Sequence, residues 1–223
     1  MANFKRMMLL LAIILPAICF AQPEVCKVTF TGKQPTIKDF ARAYCSQSEA
    51  GSFEREALAA FIKGNFKRGE TECVVDSKNG YLYYKVGSSD GTTTVLEMCY
   101  WNCNNKNEKL VAVNNIYSMG FDESTLFFYR YNAKTKKMKL IEAPFDREPN
   151  AIDLVDQDKA DKATIDLVLN SRNEDANKFQ PSFRLPRVGK DITYRMADPT
   201  AIPKAFQREG KLVWDGNGFG PED

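Results

Sequence analysis

The stretch Val74-Val-Asp-Ser-Lys-Asn-Gly-Tyr-Leu-Tyr-Tyr-Lys-Val86 decides the fold, because it has the pattern of a β-hairpin. Apolar residues stand on both sides of Asn79-Gly80, a dipeptide typical of the tight turns that join antiparallel strands. Further strand patterns rich in Thr, Val, Leu and aromatic residues follow over 92–101, 110–117, 126–131 and 138–141. Residues 72–142 therefore predict an antiparallel sheet of about six strands.

Both alternating sets of side chains in this predicted sheet are apolar, whereas a sheet with one wet face would alternate with polar residues. One set is Leu82, Tyr84, Val86, Leu96, Met98, Tyr100, Leu126 and Phe128. The other is Tyr81, Tyr83, Val95, Trp101, Val111, Val113, Phe127, Tyr129 and Tyr131. Each face therefore needs a cover. We expect the N-terminal helices to cover one face, and the C-terminal segment, a partner or a ligand to cover the other.

Two helices are predicted before the sheet. Residues 24–31 alternate as a short strand, and Thr36 with Asp39 has the spacing of a capping box that opens a helix. A second helix begins at Ser52, and Gly64 stands where it would end.

The C-terminal part has weaker patterns. A helix begun at Asp158 is favoured over a strand for 158–169, although both periodicities fit, and the polar residues 171–181 read as a loop. Residues 182–185, 192–196 and 211–214 read as short strands.

The fold class predicted from these patterns is α+β. N-terminal helices pack on an antiparallel β-sheet, and a β-rich C-terminal portion packs on the other face. The expected division is a signal peptide over 1–21, helices plus sheet over 22–145, and an acidic connector with short strands over 146–223. The last two are expected to belong to the same globule.

The N-terminus has the pattern of a secretory signal. Lys5 and Arg6 precede the uncharged apolar stretch 7–20, and small residues end the segment at Ala21. We therefore expect a secreted or periplasmic protein that begins at Gln22. A lipoprotein remains an alternative because Cys19 ends the apolar run, although the Ile18 before it is larger than such sites favour. A membrane contact is expected only if Cys19 is lipidated.

The charge balance argues against nucleic acid as a partner. The chain has 31 basic and 29 acidic residues, and both the basic residues Lys5 and Arg6 belong to the expected signal. The remaining chain is therefore neutral, whereas nucleic-acid binding needs a basic surface.

Five cysteines remain after the expected signal, and exported thiols tend to pair. Because five is odd, at least one stays free or bonds another chain. Cys99 and Cys103 are the first predicted disulfide, since a turn over 100–102 would bring them together. Cys26 and Cys45 are the second.

The sequence assigns no catalytic residue, no metal and no cofactor. It has no histidine, which removes Ser-His-Asp and Cys-His catalysis and the commonest zinc ligands. The acidic run 153–161 and the loop Asp215-Gly-Asn-Gly218 lack the spacing of a calcium loop, so a solvated face and a turn are expected. Glu97 is the one acid in an otherwise uncharged strand, and we expect it to lie at an edge or pair with a lysine.

A tentative ligand-binding surface is formed by aromatic residues that could stack on sugar rings or peptide. Its members are Tyr81, Tyr83, Trp101, Phe127, Tyr129 and Tyr131. Core packing is the competing interpretation of the same residues.

Three segments resemble those of uncharacterised secreted envelope proteins of Bacteroidetes-type bacteria. They are Leu212-Val-Trp-Asp-Gly-Asn-Gly-Phe219, Leu185-Pro-Arg-Val-Gly-Lys-Asp-Ile192 and Phe127-Phe-Tyr-Arg-Tyr-Asn-Ala-Lys-Thr-Lys-Lys137, and the signal ending Phe20-Ala-Gln22 is also similar. The resemblance implies an envelope location and brings no catalytic residue.

These features predict a non-enzymatic binding or interaction module that holds a peptide, glycan or partner protein with a face or edge of its sheet. The alternative is a carboxylate-based hydrolase of envelope polymers, which would need two acids converging in a cleft. A third possibility is an inhibitor whose 99–103 loop plugs the site of a target protein.

Overall fold

The computed structural model describes residues 23–47, 50–172 and 174–222. The expected signal peptide and Cys19 lie outside these residues. Within them, no helix is long and apolar enough to cross a membrane.

The centre of the molecule is an antiparallel sheet of eight strands in the order β1-β8-β7-β6-β5-β4-β3-β2. The six strands from β3 to β8 fall in the region that the sequence predicts, and β1 and β2 add the two edges. The strands are β1 Val25–Lys27, β2 Phe66–Arg68, β3 Thr71–Asp76, β4 Tyr81–Gly87, β5 Thr93–Asn102, β6 Glu108–Ser118, β7 Asp122–Asn132 and β8 Lys137–Ile141.

The β3–β4 hairpin turns at the predicted dipeptide. Gly80 has a φ of +67°, a conformation that glycine adopts without steric cost. The Asp76 carboxylate accepts hydrogen bonds from the Asn79 backbone N–H at 3.2 Å and from its side-chain amide at 3.1 Å. The turn is therefore held by local side-chain chemistry as well as by strand pairing.

Two helices, α1 Ile37–Cys45 and α2 Ser52–Lys63, pack on one face of the large sheet. The start of α1 is as predicted, since the Thr36 N–H donates to Asp39 at 2.8 Å. Gly64 ends α2 with a φ of +98°. We call the cluster between these helices and the sheet the first core. Its ring contacts include Phe40 with Tyr131, whose centroids are 5.2 Å apart.

A second sheet of four strands, in the order β12-β11-β10-β9, packs with the opposite face of the large sheet. We call this cluster the second core. Trp101 of the large sheet lies 5.1 Å from Phe219 between ring centroids, and its indole N–H donates to the Lys190 carbonyl at 2.7 Å. The α-helices and strands that follow the large sheet in the chain are α3 Lys162–Asn170, α4 Glu174–Phe179, β9 Pro181–Arg184, β10 Ile192–Met196, β11 Gly210–Trp214 and β12 Phe219–Pro221.

The mixed helix and antiparallel-sheet class is confirmed, and some C-terminal details differ from the prediction. Helix α3 begins after Asp161, which caps it by accepting from the Thr164 N–H at 2.8 Å, and not at Asp158. The loop prediction for 171–181 is wrong, because α4 lies there. Strand β12 was not predicted, because it has only three residues, although it pairs with β11 across the expected turn 215–218.

The two predicted disulfides are absent from the structure, and no disulfide joins the cysteines within the described ranges. Cys99 lies inside β5 and Cys103 just after it, so about 13 Å of extended chain separates their Cα atoms. A disulfide needs less than roughly 7 Å. Cys26 does lie near Cys45: burial, then Glu54 and then Cys26 raise the pKa of the Cys45 thiol.

Substitutions of leucine by alanine test whether both faces of the large sheet are packed. Leu82 in the first core and Leu110 in the second are both 0% exposed, whereas Leu169 on α3 is 59% exposed. We expect Leu82→Ala and Leu110→Ala each to lower the free energy of unfolding by about 2–5 kcal/mol. Leu169→Ala should change it by less than about 0.5 kcal/mol. Urea unfolding measures all three, and a Leu110→Ala effect as small as that of the control would mean that the second face is not packed.

Candidate functional site

The six aromatic residues predicted as one binding surface lie on opposite faces of the large sheet. Tyr81, Tyr83 and Trp101 belong to the second core. Phe127, Tyr129 and Tyr131 belong to the first core.

The strand register explains this correction. Met98 pairs with Val113, and Val113 pairs with Phe127, so odd-numbered residues of β6 and β7 share a face with even-numbered residues of β5. A shift of one residue in a loop moves every following side chain to the other face. Four of the six side chains are buried, and Tyr83 and Phe127 are half-buried. These rings therefore fill the two cores and do not form a single exposed stacking surface.

Glu97 lies in the middle of the large sheet, facing the second core. Its side chain is 3% exposed and accepts three hydrogen bonds. The donors are the Tyr81 hydroxyl at 3.1 Å, the Asn114 amide at 3.0 Å and the backbone N–H of Leu185 at 3.2 Å. The predicted edge position and lysine partner are both wrong, because hydrogen bonds from three neutral groups satisfy this carboxylate.

The side chains of Asn114 and Ser124 extend these hydrogen bonds to β9. The Asn114 amide also donates to the Phe183 carbonyl at 3.0 Å. The Ser124 hydroxyl donates to the Asn114 carbonyl oxygen at 2.7 Å and accepts from the Phe183 N–H at 3.2 Å. We call Glu97, Asn114 and Ser124, with the backbone of residues 183 and 185, the Glu97 seam.

The Glu97 seam satisfies the free edge of the second sheet. Strand β9 pairs with β10 on one side only. If buried, the unpaired backbone groups of such an edge would otherwise lack hydrogen-bond partners, and if exposed they could pair with a strand of another molecule. In this protein, side chains of the large sheet take the place of the missing strand. Glu97 is thus explained as a structural residue that attaches the second sheet.

Glu97 and Asp122 lie too far apart to act as a hydrolytic carboxylate pair. Burial raises the pKa of this carboxyl, and the hydrogen bonds from Asn114 and Leu185 and the Arg184 charge oppose the rise. Asp122 is the other carboxylate near Arg184. Because Glu97 faces Asn114 and Asp122 faces Ser118, about 13 Å of strand separates the two acids. Catalytic carboxylate pairs in glycosidases lie roughly 5–9.5 Å apart.

An open polar cleft of about 170 Å³ lies on the second sheet. Its lining residues are Arg184, Thr193, Tyr194, Arg195 and Glu209. Arg184 is directly opposite Thr193 in the register, and Arg195 lies two residues further along β10, so the three share the outer face.

Asp122 holds the two arginines of the cleft together. Its Oδ2 accepts from Arg184 at 2.5 Å and from Arg195 at 3.0 Å, and its other oxygen accepts from the Ser118 hydroxyl. Burial alone would raise the pKa of Asp122, but the hydrogen bonds and the Arg184 charge outweigh it and hold the pKa below its usual range. The carboxylate therefore stays charged and orients both guanidinium groups.

The acidic residues that were considered for calcium bind groups close to them in the chain. Asp153 bonds Arg147 at 2.9 Å, Asp156 bonds Lys159 at 2.5 Å, and Asp161 caps α3. Asp215 accepts from the N–H groups of Asn217 and Gly218, as expected for a turn. No group of three or more acidic or cysteine residues placed to hold a metal occurs in the part of the chain that the structure describes.

The cleft residues were not predicted as a site. The alternation in Ile192-Thr-Tyr-Arg-Met196 does indicate that Thr193 and Arg195 face outward. Their meeting with Asp122 could not be inferred, because Asp122 lies 73 residues from Arg195 in the chain.

No protein-family model matches the chain, and no curated protein matches it in sequence. Among solved structures, the chain is similar to a domain of an uncharacterized protein from Porphyromonas gingivalis W83, at 11% identity and a TM-score of 0.47. The match covers 76% of this chain and 88% of that domain.

The pH dependence of stability tests the burial of Glu97. A carboxyl whose pKa is raised on folding binds its proton more tightly in the folded protein, so its contribution is largest below the unfolded value of about 4.5 and is lost as the pH rises. In Glu97→Gln, the amide can accept from Asn114 and Leu185 and donate to Tyr81. We therefore expect the variant to gain stability relative to the natural protein as the pH increases from 4.5 towards 8.

Urea unfolding of both proteins at several pH values measures this difference. The difference already present at pH 4.5 reflects altered hydrogen bonding, so the change of the difference with pH is the test. A difference that stays flat across the range, or that moves in favour of the natural protein at high pH, would contradict the assigned environment of Glu97.

Proposed function

We propose that the protein is a non-enzymatic binding module of the bacterial envelope, which holds a peptide, glycan or partner protein on the outer face of its second sheet. The single observation that carries the proposal is the open polar cleft lined by Arg184, Thr193, Arg195 and Glu209. Polar groups that converge in a cleft can fix the orientation of a ligand and provide specificity.

The covering of both faces of the large sheet supports the choice of the second sheet as the binding surface. The first core occupies one face of the large sheet and the second core occupies the other. By contrast, the outer side chains of β10 are exposed. A ligand therefore has access to the second sheet without any displacement of core residues.

The rigidity of the cleft is a further argument. Arg184 belongs to β9, whose free edge is held by the Glu97 seam, and Asp122 belongs to the long strand β7. Binding groups fixed on strands lose less conformational freedom on binding than groups on loops.

The envelope location belongs to the proposal as well. It rests on the basic, apolar and small-residue pattern of 1–21, so the protein would be secreted or periplasmic. It would be attached to a membrane only if Cys19 carries a lipid.

Peptide and glycan arrays probed with the purified protein test the proposed function. Thr193→Tyr places a ring in the cleft, and Thr125→Tyr is the matched control at an exposed strand position of β7. We expect the natural protein and the control to retain a ligand, and Thr193→Tyr to lose at least about tenfold in affinity.

Mass spectrometry of the recovered ligand separates binding from catalysis. An unchanged ligand mass is expected. Cleaved products would favour the hydrolase alternative, and the absence of any retained ligand, or equal retention by Thr193→Tyr, would contradict a binding role for this face.

A further inference from the structure

The charges around the cleft do not cancel locally. Arg184 and Arg195 share the single carboxylate of Asp122, and the other acceptors of Arg184 are the neutral Ser182 hydroxyl and Phe183 carbonyl. One positive charge therefore remains at the arginine side of the cleft. In the described part of the chain, Arg195 makes one hydrogen bond, through Nη2, and its side chain is 48% exposed. The remaining N–H groups of its guanidinium can bind a further acceptor.

The opposite side of the cleft carries an acid that lacks an ion pair. Tyr194 pairs with Gly210, and Glu209 directly precedes β11, so an extension of this antiparallel register by one residue would place Arg195 opposite Glu209. Opposite charges at such positions usually attract each other across strands. Arg195 instead turns to Asp122, and among the described residues no ion pair within 4.0 Å includes Glu209. The cleft thus has a guanidinium that is bound to Asp122 and, at Glu209, a carboxylate without an ion pair among the described residues.

The cleft offers no aromatic platform for a sugar. Tyr194 lines it but is only 6% exposed, because its ring lies over Gly210. A Cβ atom added to Gly210 would stand 2.0 Å from the Tyr194 ring, which leaves no space between strand and ring. Since sugar rings are commonly held by stacking on exposed aromatic faces, this arrangement favours a peptide over a glycan.

We propose that the cleft binds a peptide segment in which a carboxylate and an ammonium group lie on the same side of an extended chain. The free guanidinium edge of Arg195 and the Thr193 hydroxyl take the carboxylate, and Glu209 takes the ammonium group. Such a ligand offers an opposite charge both to Arg195 and to Glu209. A simple anion would instead come close to the Glu209 carboxylate with no positive charge to offset the repulsion. This inference rests on the proposed binding function and names its ligand class.

A nuclear magnetic resonance titration of the full chain tests it, with the Nε–H signals of Arg184 and Arg195 as reporters. The probe is the capped peptide acetyl-Gly-Asp-Gly-Lys-Gly-amide, whose acidic and basic side chains lie on one face when extended. Two matched peptides replace Asp by Asn or Lys by Gln, and glucuronic acid represents acidic sugars.

We expect the probe to shift the Arg195 signal in a saturable way. The Asn peptide and the Arg195→Gln variant should each weaken binding about tenfold, since a charge-assisted hydrogen bond is lost. The Gln peptide should weaken it about threefold, and Glu209→Gln should abolish the difference between the Lys and Gln peptides. Arg42→Gln, which removes a similar arginine paired with Asp39 on α1, should have no effect.

Several outcomes would overturn the inference. Binding of glucuronic acid as tight as that of the probe, with no effect of the Asp to Asn change, would mean that the ligand class is wrong while the cleft still binds. No shift with any probe would also reject the peptide class. The proposed function fails separately, if the arrays retain no ligand or if Thr193→Tyr retains it unchanged.

Discussion

The structure depends on the hydrogen bonds by which side chains of the large sheet satisfy the free edge of β9. Glu97, Asn114 and Ser124 lie on adjacent strands of the large sheet, and they pair with the backbone of residues 183 and 185. A buried sheet edge without partners would be strongly destabilising, because each unsatisfied group costs about 1–3 kcal/mol. The seam allows the second sheet to pack on an apolar face while its outer side stays open.

This attachment links the buried network to the cleft. Arg184 lies between Phe183 and Leu185, whose backbone groups are hydrogen-bonded by the Glu97 seam. Its side chain reaches Asp122 on β7. The position of Arg184 is therefore set by the strand whose edge the seam satisfies, and Arg195 lies on β10, which pairs with that strand. Arg195 on β10 bonds the same carboxylate, and Glu209, which also lines the cleft, makes no ion pair among the described residues.

Much of the fold could be predicted from local sequence. Asn79-Gly80 predicts its hairpin, and Thr36 with Asp39 predicts the start of α1, because these residues act within a few positions of the chain. The apolar character of both faces of the large sheet was also evident. By contrast, the grouping of the aromatic residues failed, since it needed the register across two loops. Helix α4 was missed because, among its side chains whose burial is described, only Phe179 is buried, which leaves no periodic pattern.

The candidate site was beyond the reach of the sequence for a different reason. Glu97 stood out as the one acid of an uncharged strand and Arg195 did not, and the partners of both are distant in the chain: Leu185 lies 88 residues from Glu97. A cysteine spacing of four suggested a turn, and only the length of β5 reveals an extended chain between Cys99 and Cys103.

Amide hydrogen exchange at Phe183 and Leu185 tests the central claim most directly. If the Glu97 seam replaces a missing strand, both N–H groups should exchange slowly, with opening free energies close to that of global unfolding. Exchange as fast as that of an exposed sheet edge would contradict the account.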